Sequence, residues 1–307
     1  MTVSDIGETD KKSGVPKRKR FKKVREALCF SKYLLPSILG VSLFFFGPMA
    51  QIAVNSFQKS PTNPEFVGLQ NYERVLSNQA FLQAGENTLR FSLMAVPLAV
   101  VLSLILALLL NAKLPGRSVF RSMLLNPMMV PVASIVLIWQ VLFSFTGSIN
   151  TYLGYFGIDK IDWMKSDWSR IVILLLFLWK TLGYNMVLFL AALNNVPSEL
   201  IDTSKIDGAG SVRRFFSISL VYLYPTVFFV GIMSLISSFK IFREVYLLTG
   251  DYPYSSLYML QHFMNNAFRN LDYQKLCAGA IIMALVMILI VGILFLAEFK
   301  LGKEVEE

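Results

Sequence analysis

Six apolar runs, each longer than the roughly 18 residues that mark a membrane-spanning helix, limit what this chain can fold into. They cover residues 33–57, 87–110, 122–145, 171–193, 215–239 and 276–298. A helix rises about 1.5 Å per residue, so each run reaches across a ~30 Å hydrocarbon core. In lipid no water satisfies backbone N–H and C=O groups, so a span is either a helix or part of a closed barrel. The ~10-residue alternating segments of a barrel are absent. The expected fold is an all-α polytopic membrane protein with six transmembrane helices. The low charge agrees: 16% of the 307 residues are charged, against about 25% in a soluble domain.

The net charge of +9 is unevenly placed. Residues 1–32 hold Lys11, Lys12, Lys17, Arg18, Lys19, Arg20, Lys22, Lys23, Arg25 and Lys32. Loops 111–121 and 194–214 carry Lys113, Arg117, Arg121, Lys205, Arg213 and Arg214, and the tail carries Lys300 and Lys303. The positive-inside rule then places both termini and these two loops in the cytoplasm. Loops 58–86 and 146–170 are balanced in charge, and loop 240–275 is slightly basic, which weakens the pattern without reversing it. Membrane topology explains the basic excess better than nucleic-acid binding. The first run is too long for the apolar core of a secretory signal, and no small-x-small cleavage pattern follows, so it is read as retained. The expected division is a basic cytoplasmic leader over 1–32, a six-helix domain over 33–300 and a short cytoplasmic tail over 301–307.

Chemistry-bearing residues are few. Cys29 and Cys277 are too few for a disulfide framework and fall on opposite sides of this topology. His262 has no Cys or Glu at metal-ligand spacing and reads as a loop histidine. No G-x-x-x-x-G-K-[ST] phosphate loop occurs, and no nucleophile–base pair or carboxylate pair can be assembled. Within the spans Lys180 is the main charge and Glu298 lies near an end. An ion-coupled transporter needs intramembrane carboxylates, so their scarcity argues for an external source of energy.

The loop between the fourth and fifth spans is the most informative polar segment. Pro197-Ser198-Glu199 reads as a helix start with Ser198 as N-cap, followed by two turns to Lys205. Asp207-Gly208 breaks the run, and Ser211 is placed to cap the next helix. Leu200, Ile201 and Ile206 give this short helix an apolar face, and Glu199, Asp202 and Lys205 give it charge. On pattern alone it is either a surface-anchored connection or a docking element.

Asp202-Thr203-Ser204, then Asp207-Gly208-Ala209, then Phe215 or Phe216, Ile218 and Leu220 resemble the ATPase-docking loop of bacterial ABC importer permeases, in its carbohydrate (maltose-type) version. That pattern usually has Glu-Ala-Ala where Asp202-Thr203-Ser204 stands, and Pro where Val221 stands. Other segments are similar to the same family in order and spacing. They are Phe66-Val67-Gly68-Leu69-Gln70-Asn71-Tyr72, Asn87-Thr88, the stretch from Leu114 to Arg121, Trp179-Lys180-Thr181-Leu182-Gly183-Tyr184-Asn185, and the stretch from Ser238 to Phe242. The likeness covers most of residues 33–300 and is nearer to the first of the two permeases in such importers.

The resemblance implies a pore-forming subunit that pairs with a homologous second permease, two ATPase subunits and an extracytoplasmic solute-binding protein, in a bacterial inner membrane. It implies that Glu199, Asp202, Thr203, Ser204, Asp207, Gly208 and Ala209 dock the ATPase, within loop 195–216. It implies no cofactor on this chain, ATP and Mg being used by the partner ATPase, and no catalysis by the chain itself. A path for a hydroxyl-rich solute needs polar groups inside the bundle. Thr181, Tyr184 and Asn185 on the fourth span and Ser234, Ser237 and Ser238 on the fifth have that character, and Tyr184 adds a ring suited to a sugar face. Small hydroxyl residues also simply pack membrane helices. The expected solute is a carbohydrate; a polyol or glycerol phosphate on the same fold is the alternative, and an ion-coupled transporter a more distant one.

Overall fold

A computed structural model describes residues 33–112 and 115–306. The leader, Cys29 and Leu114 lie outside the described residues, as do the side chains of the tail. The chain divides into two compact units, Met1–Val54 and Asn55–Glu307. The first is described as most of one helix, α1 (Tyr33–Ser56), which carries no charge and makes a π turn at Ser42–Phe46.

The second unit is helical. A two-residue antiparallel bridge, Gln58 with Phe66, is the extended pairing recorded among the described residues. Its chain reversal is held by Asn71, whose amide donates to the carbonyls of Ser56 and Gln58 at 2.9 and 2.8 Å. Gly68 supplies the positive φ of +60° needed to enter α2 (Gln70–Leu76). These are residues of the 66–72 motif, and their local duty is to close this turn.

The long helices follow: α3 (Gln79–Asn111), α4 (Arg117–Met129), α5 (Val132–Phe143), α6 (Ser148–Tyr155) and α7 (Ser169–Asn194). The short α8 (Ser198–Ile206) precedes α9 (Ser211–Arg214), which continues through a π turn at Phe215–Ser219 into α10 (Leu220–Phe239). Last come α11 (Phe242–Thr249), α12 (Leu260–Arg269) and α13 (Tyr273–Glu306). Six helical stretches among the described residues are long and apolar enough to cross a membrane.

Three expectations are corrected. The third span, read as 122–145, is two helices: Pro131 cannot supply an N–H, the chain turns extended at Val130, and the apolar crossing becomes Val132–Tyr155. The fifth span reaches Thr249, because α11 carries its apolar face onward. The expected loop 240–275 is therefore largely α11 and α12, packed against α5 and α3 respectively.

The bundle is built around α3 and α7. Lipid offers no hydrophobic reward for bringing helices together, so close backbone approach has to supply dispersion contacts. α3 presents Ser92, Ala95, Ala99, Ser103 and Ala107, all buried and roughly one turn apart, and so lets α7 lie close. Gly183 does the same for α4. A Cβ there would stand 1.9 Å from the carbonyl oxygen of Leu124, so no side chain fits. Two apolar clusters sit along α7, one at Val172–Leu178 with Ile135 and Val245, the other at Met186–Leu193 with Leu223 and Val230. A third joins Phe81 to Phe263 and Ala278. The polar stretch of α7 between its two clusters is where a cavity opens.

Candidate functional site

Two features have the composition of working sites, an exposed connecting helix and a polar cavity. The connection begins where α7 ends at Asn194. Val196 is buried and Pro197 takes an extended conformation, turning the chain into α8. Pro197, not Ser198, occupies the N-cap, and no side chain caps the helix; likewise Gly210, not Ser211, is the N-cap of α9. In each case the serine is the first helical residue. Ser211 instead receives a hydrogen bond from the Arg214 guanidinium at 3.0 Å.

The end of α8 is a Schellman closure. Gly208 N–H donates to the Lys205 carbonyl at 3.1 Å and Ala209 N–H to the Ser204 carbonyl at 2.9 Å. Gly208 takes a φ of +74°, which only a residue without Cβ adopts freely. Asp207-Gly208-Ala209 is thus a helix stop with a defined shape. Arg214 also donates to the Ala209 carbonyl and ties the stop to α9. The hydroxyls at the two positions where the importer pattern has alanines are absorbed within the helix. Thr203 Oγ1 donates to the Glu199 carbonyl at 2.8 Å and Ser204 Oγ to the Ile201 carbonyl at 2.7 Å. Glu199, Asp202 and Asp207 are exposed, and Lys205 pairs with Asp202 at 2.7 Å. Ile206 is 86% exposed and Leu200 is 43% exposed, an apolar contact surface open at the side of a polar helix.

The cavity has a volume of about 340 Å³ and lies among α4, α7, α10 and α11. Thr181, Tyr184 and Asn185 of α7 and Ser237 of α10 line it, with Met128, Phe177 and Met233 as apolar walls. Ser234 and Ser238 do not. Ser234 Oγ accepts from the Asn185 amide at 2.9 Å, and Ser238 shares a hydrogen bond with Ser92 at 2.8 Å. All four of these groups are buried, so Ser234 orients a cavity residue and Ser238 joins α10 to α3. Thr181 returns its hydroxyl proton to the Phe177 carbonyl at 2.8 Å, and Ser237 does so to Met233.

Lys240, Ile241, Arg243 and Glu244 complete the lining. Glu244 corrects the expectation that carboxylates are missing from the spans: it is 4% exposed and forms an ion pair with Lys180 across from α11 to α7. The polar residues of α11 dilute its apolar pattern, so the sequence alone places Glu244 in loop 240–275. The signal that would have found it is the lone intramembrane lysine, since a charge in that setting needs a partner.

His262 is also corrected, from a loop residue to a fully buried one on α12. Its Nδ1 accepts from the Met259 N–H at 3.2 Å, which leaves the neutral ring's proton on Nε2. Nε2 has no hydrogen-bond partner among the described residues, and the Phe242 ring packs across it at 4.7 Å between centroids. Burial pushes its pKa down to about 4, against a smaller upward pull from Asp251. Asn87 and Thr88 turn out to anchor the same region. The Asn87 amide donates to the carbonyls of Ser255 and Tyr258, and Thr88 Oγ1 accepts from the Leu260 N–H. No group of three or more metal-ligating side chains is found among the described residues.

Residues 99–303 match the family described as binding-protein-dependent transport system inner membrane component. The chain is 31% identical to the probable ABC transporter permease protein YesP of Bacillus subtilis strain 168, over 94% of this chain and 95% of that one. It is also 31% identical to the multiple sugar-binding transport system permease protein MsmF of Streptococcus mutans, over 89% and 94% respectively. Among solved structures it shares its fold with a chain of a bacterial ABC transporter for import of the acidic polysaccharide alginate. There the TM-score is 0.81 at 19% identity, covering 92% of this chain and 99% of the other.

Proposed function

We infer function from one premise: this chain belongs to the family of binding-protein-dependent transport system inner membrane components. It is a multi-pass, pore-forming permease subunit of an ABC importer for carbohydrate, as are the sugar permeases it matches along most of its length. The finer reading is ours. The chain hydrolyses nothing and binds no cofactor; a separate ATPase uses ATP and Mg and docks on α8. Its further partners are a homologous second permease, a second ATPase copy and an extracytoplasmic solute-binding protein. Both termini face the cytoplasm of a bacterial cell, on the same side as α8.

The observation that carries this reading is α8 itself. A nine-residue polar helix between two spans, closed by a Schellman stop, leaves Ile206 exposed in the folded chain. An exposed isoleucine beside exposed Leu200 on a charge-bordered helix suits insertion into another subunit, and the Asp-Gly-Ala stop that shapes it matches the docking pattern. Glu199, Asp202 and Asp207 border it with negative charge that suits a basic rim on the ATPase. Thr181, Tyr184, Asn185 and Ser237 are read as the solute path, with Ser234 holding the Asn185 amide and Ser238 the α3 contact. A sugar entering the cavity would exchange water for hydroxyl, amide and ring contacts.

The test is a mild-detergent isolation of the chain from its native membrane, with mass identification of what accompanies it. A homologous permease and an ATPase are expected. Intact, folded chain recovered without an ATPase would overturn the reading and favour a self-sufficient transporter.

A further inference from the structure

We propose that the cavity takes a carboxylate-bearing saccharide, with Lys240 and Arg243 as its anion-recognising residues. This rests on the reading of the cavity as the solute path and adds a substrate class to it. Four charged residues line the space: Lys180, Lys240, Arg243 and Glu244. Lys180 and Glu244 neutralise each other in an ion pair that is largely buried. None of the ion pairs found among the described residues includes Lys240 or Arg243. The cavity therefore has two cations without a carboxylate partner and no spare anion.

The helices do not account for both of them. Lys240 caps the C-terminal end of α10, where a cation suits the helix dipole. Arg243, however, sits in the first turn of α11, at the positive end of that dipole, where a cation is disfavoured. Both side chains are exposed at the cavity beside Phe177, Met128 and Met233, where an incoming carboxylate would meet them, and a guanidinium matches a carboxylate with two parallel hydrogen bonds. The hydroxyl and amide groups of Thr181, Tyr184, Asn185 and Ser237 serve the neutral part of a sugar ring. The volume lies near the lower end of small-molecule sites, which span about 300–1,000 Å³. A segment of one or two sugar units suits such a space. Lipid phosphate offers the same negative charge, so the experiment has to separate the two sources.

The assembled importer, isolated with its ATPase and without solute-binding protein, is placed in phosphatidylcholine nanodiscs. Binding of digalacturonate is compared with binding of its neutral methyl ester. The acid is expected to bind about tenfold tighter, the size of one charge-assisted hydrogen bond. In a Lys240→Gln/Arg243→Gln double variant the acid-to-ester ratio should fall toward one, with co-purification of the ATPase showing that the complex still forms. Equal binding of acid and ester by the natural chain would overturn the proposal while leaving the saccharide path standing. A preference that survives both substitutions would also overturn it. So would a ratio near one accompanied by loss of co-purifying anionic lipid in the double variant, which would assign the two cations to a headgroup. Binding of neither compound by an intact complex would instead sink the solute-path reading itself.

Discussion

Gly208 shows how much a single residue can specify. Its φ of +74° closes α8, yet a Cβ built there would meet nothing within 4 Å. The constraint is therefore conformational and not one of space. Alanine at this position costs roughly 1–2 kcal/mol of left-handed strain, and asparagine, which visits that region more readily, should cost less. We expect Gly208→Ala to lower uptake per assembled complex more than Gly208→Asn, with membrane insertion unchanged in both. Equal uptake by all three would remove the coupling role assigned to this stop. Gly183 is the opposite case, an ordinary helical glycine whose missing side chain makes room for the Leu124 carbonyl. The Gly208 turn was legible in the sequence because Asp-Gly after a short amphipathic run is a local signal. The Gly183 contact was not, because its partner lies on another helix.

Between elements, the Lys180–Glu244 pair is the chief polar tie between α7 and α11. Removing one member leaves the other charge buried without a partner, whereas removing both leaves only a packing defect. Lys180→Met is expected to destabilise the detergent-solubilised protein by about 3 kcal/mol, the low end of the usual range because the lysine keeps some solvent contact. Lys180→Met/Glu244→Gln should recover much of that loss, as read by thermal unfolding at one scan rate. A double variant as unstable as the single one would show that the pair is incidental. The broken third span illustrates the same scale from the sequence side. Pro127 and Pro131 were visible in the chain, but an apolar run containing prolines is compatible with a kinked single helix or with two helices. Packing of α4 against Gly183 and of α5 against α11 selects two.

At the scale of the whole fold, His262 links stability to acidity. Its folded pKa of about 4 lies below the ordinary value of 6.5, so the folded protein resists the proton that the unfolded chain accepts. Between these values the unfolded state binds more protons, and stability rises with pH. The contribution is fully present above about pH 6.5, declines as pH falls toward 4, and amounts to roughly 3 kcal/mol over the window. The unfolding temperature of the natural chain should therefore drop between pH 6.5 and 4.5 by more than that of a His262→Gln variant. Parallel curves would mean that His262 does not carry this linkage. The consequence is global because α12 joins α3 and α13, and Thr88 and Asn87 hold its leading loop from the far side of the sequence.

By itself the sequence determined the membrane class, the six crossings, the short helix between the fourth and fifth of them, and the family likeness. Each is written in local signals: run length against bilayer thickness, helical spacing, and a glycine stop. Only the tertiary structure decided which polar side chains meet. Asn185 finds Ser234 across 49 positions, Lys180 finds Glu244 across 64, and Ser92 finds Ser238 across 146. No periodicity encodes such pairs. They arise because unpaired polar groups in an apolar bundle are costly, and small residues on α3 and α7 bring the helices close enough to satisfy them. The same packing turned Ser237 toward the cavity and Ser234 and Ser238 away from it, although all three stand within five positions of one helix.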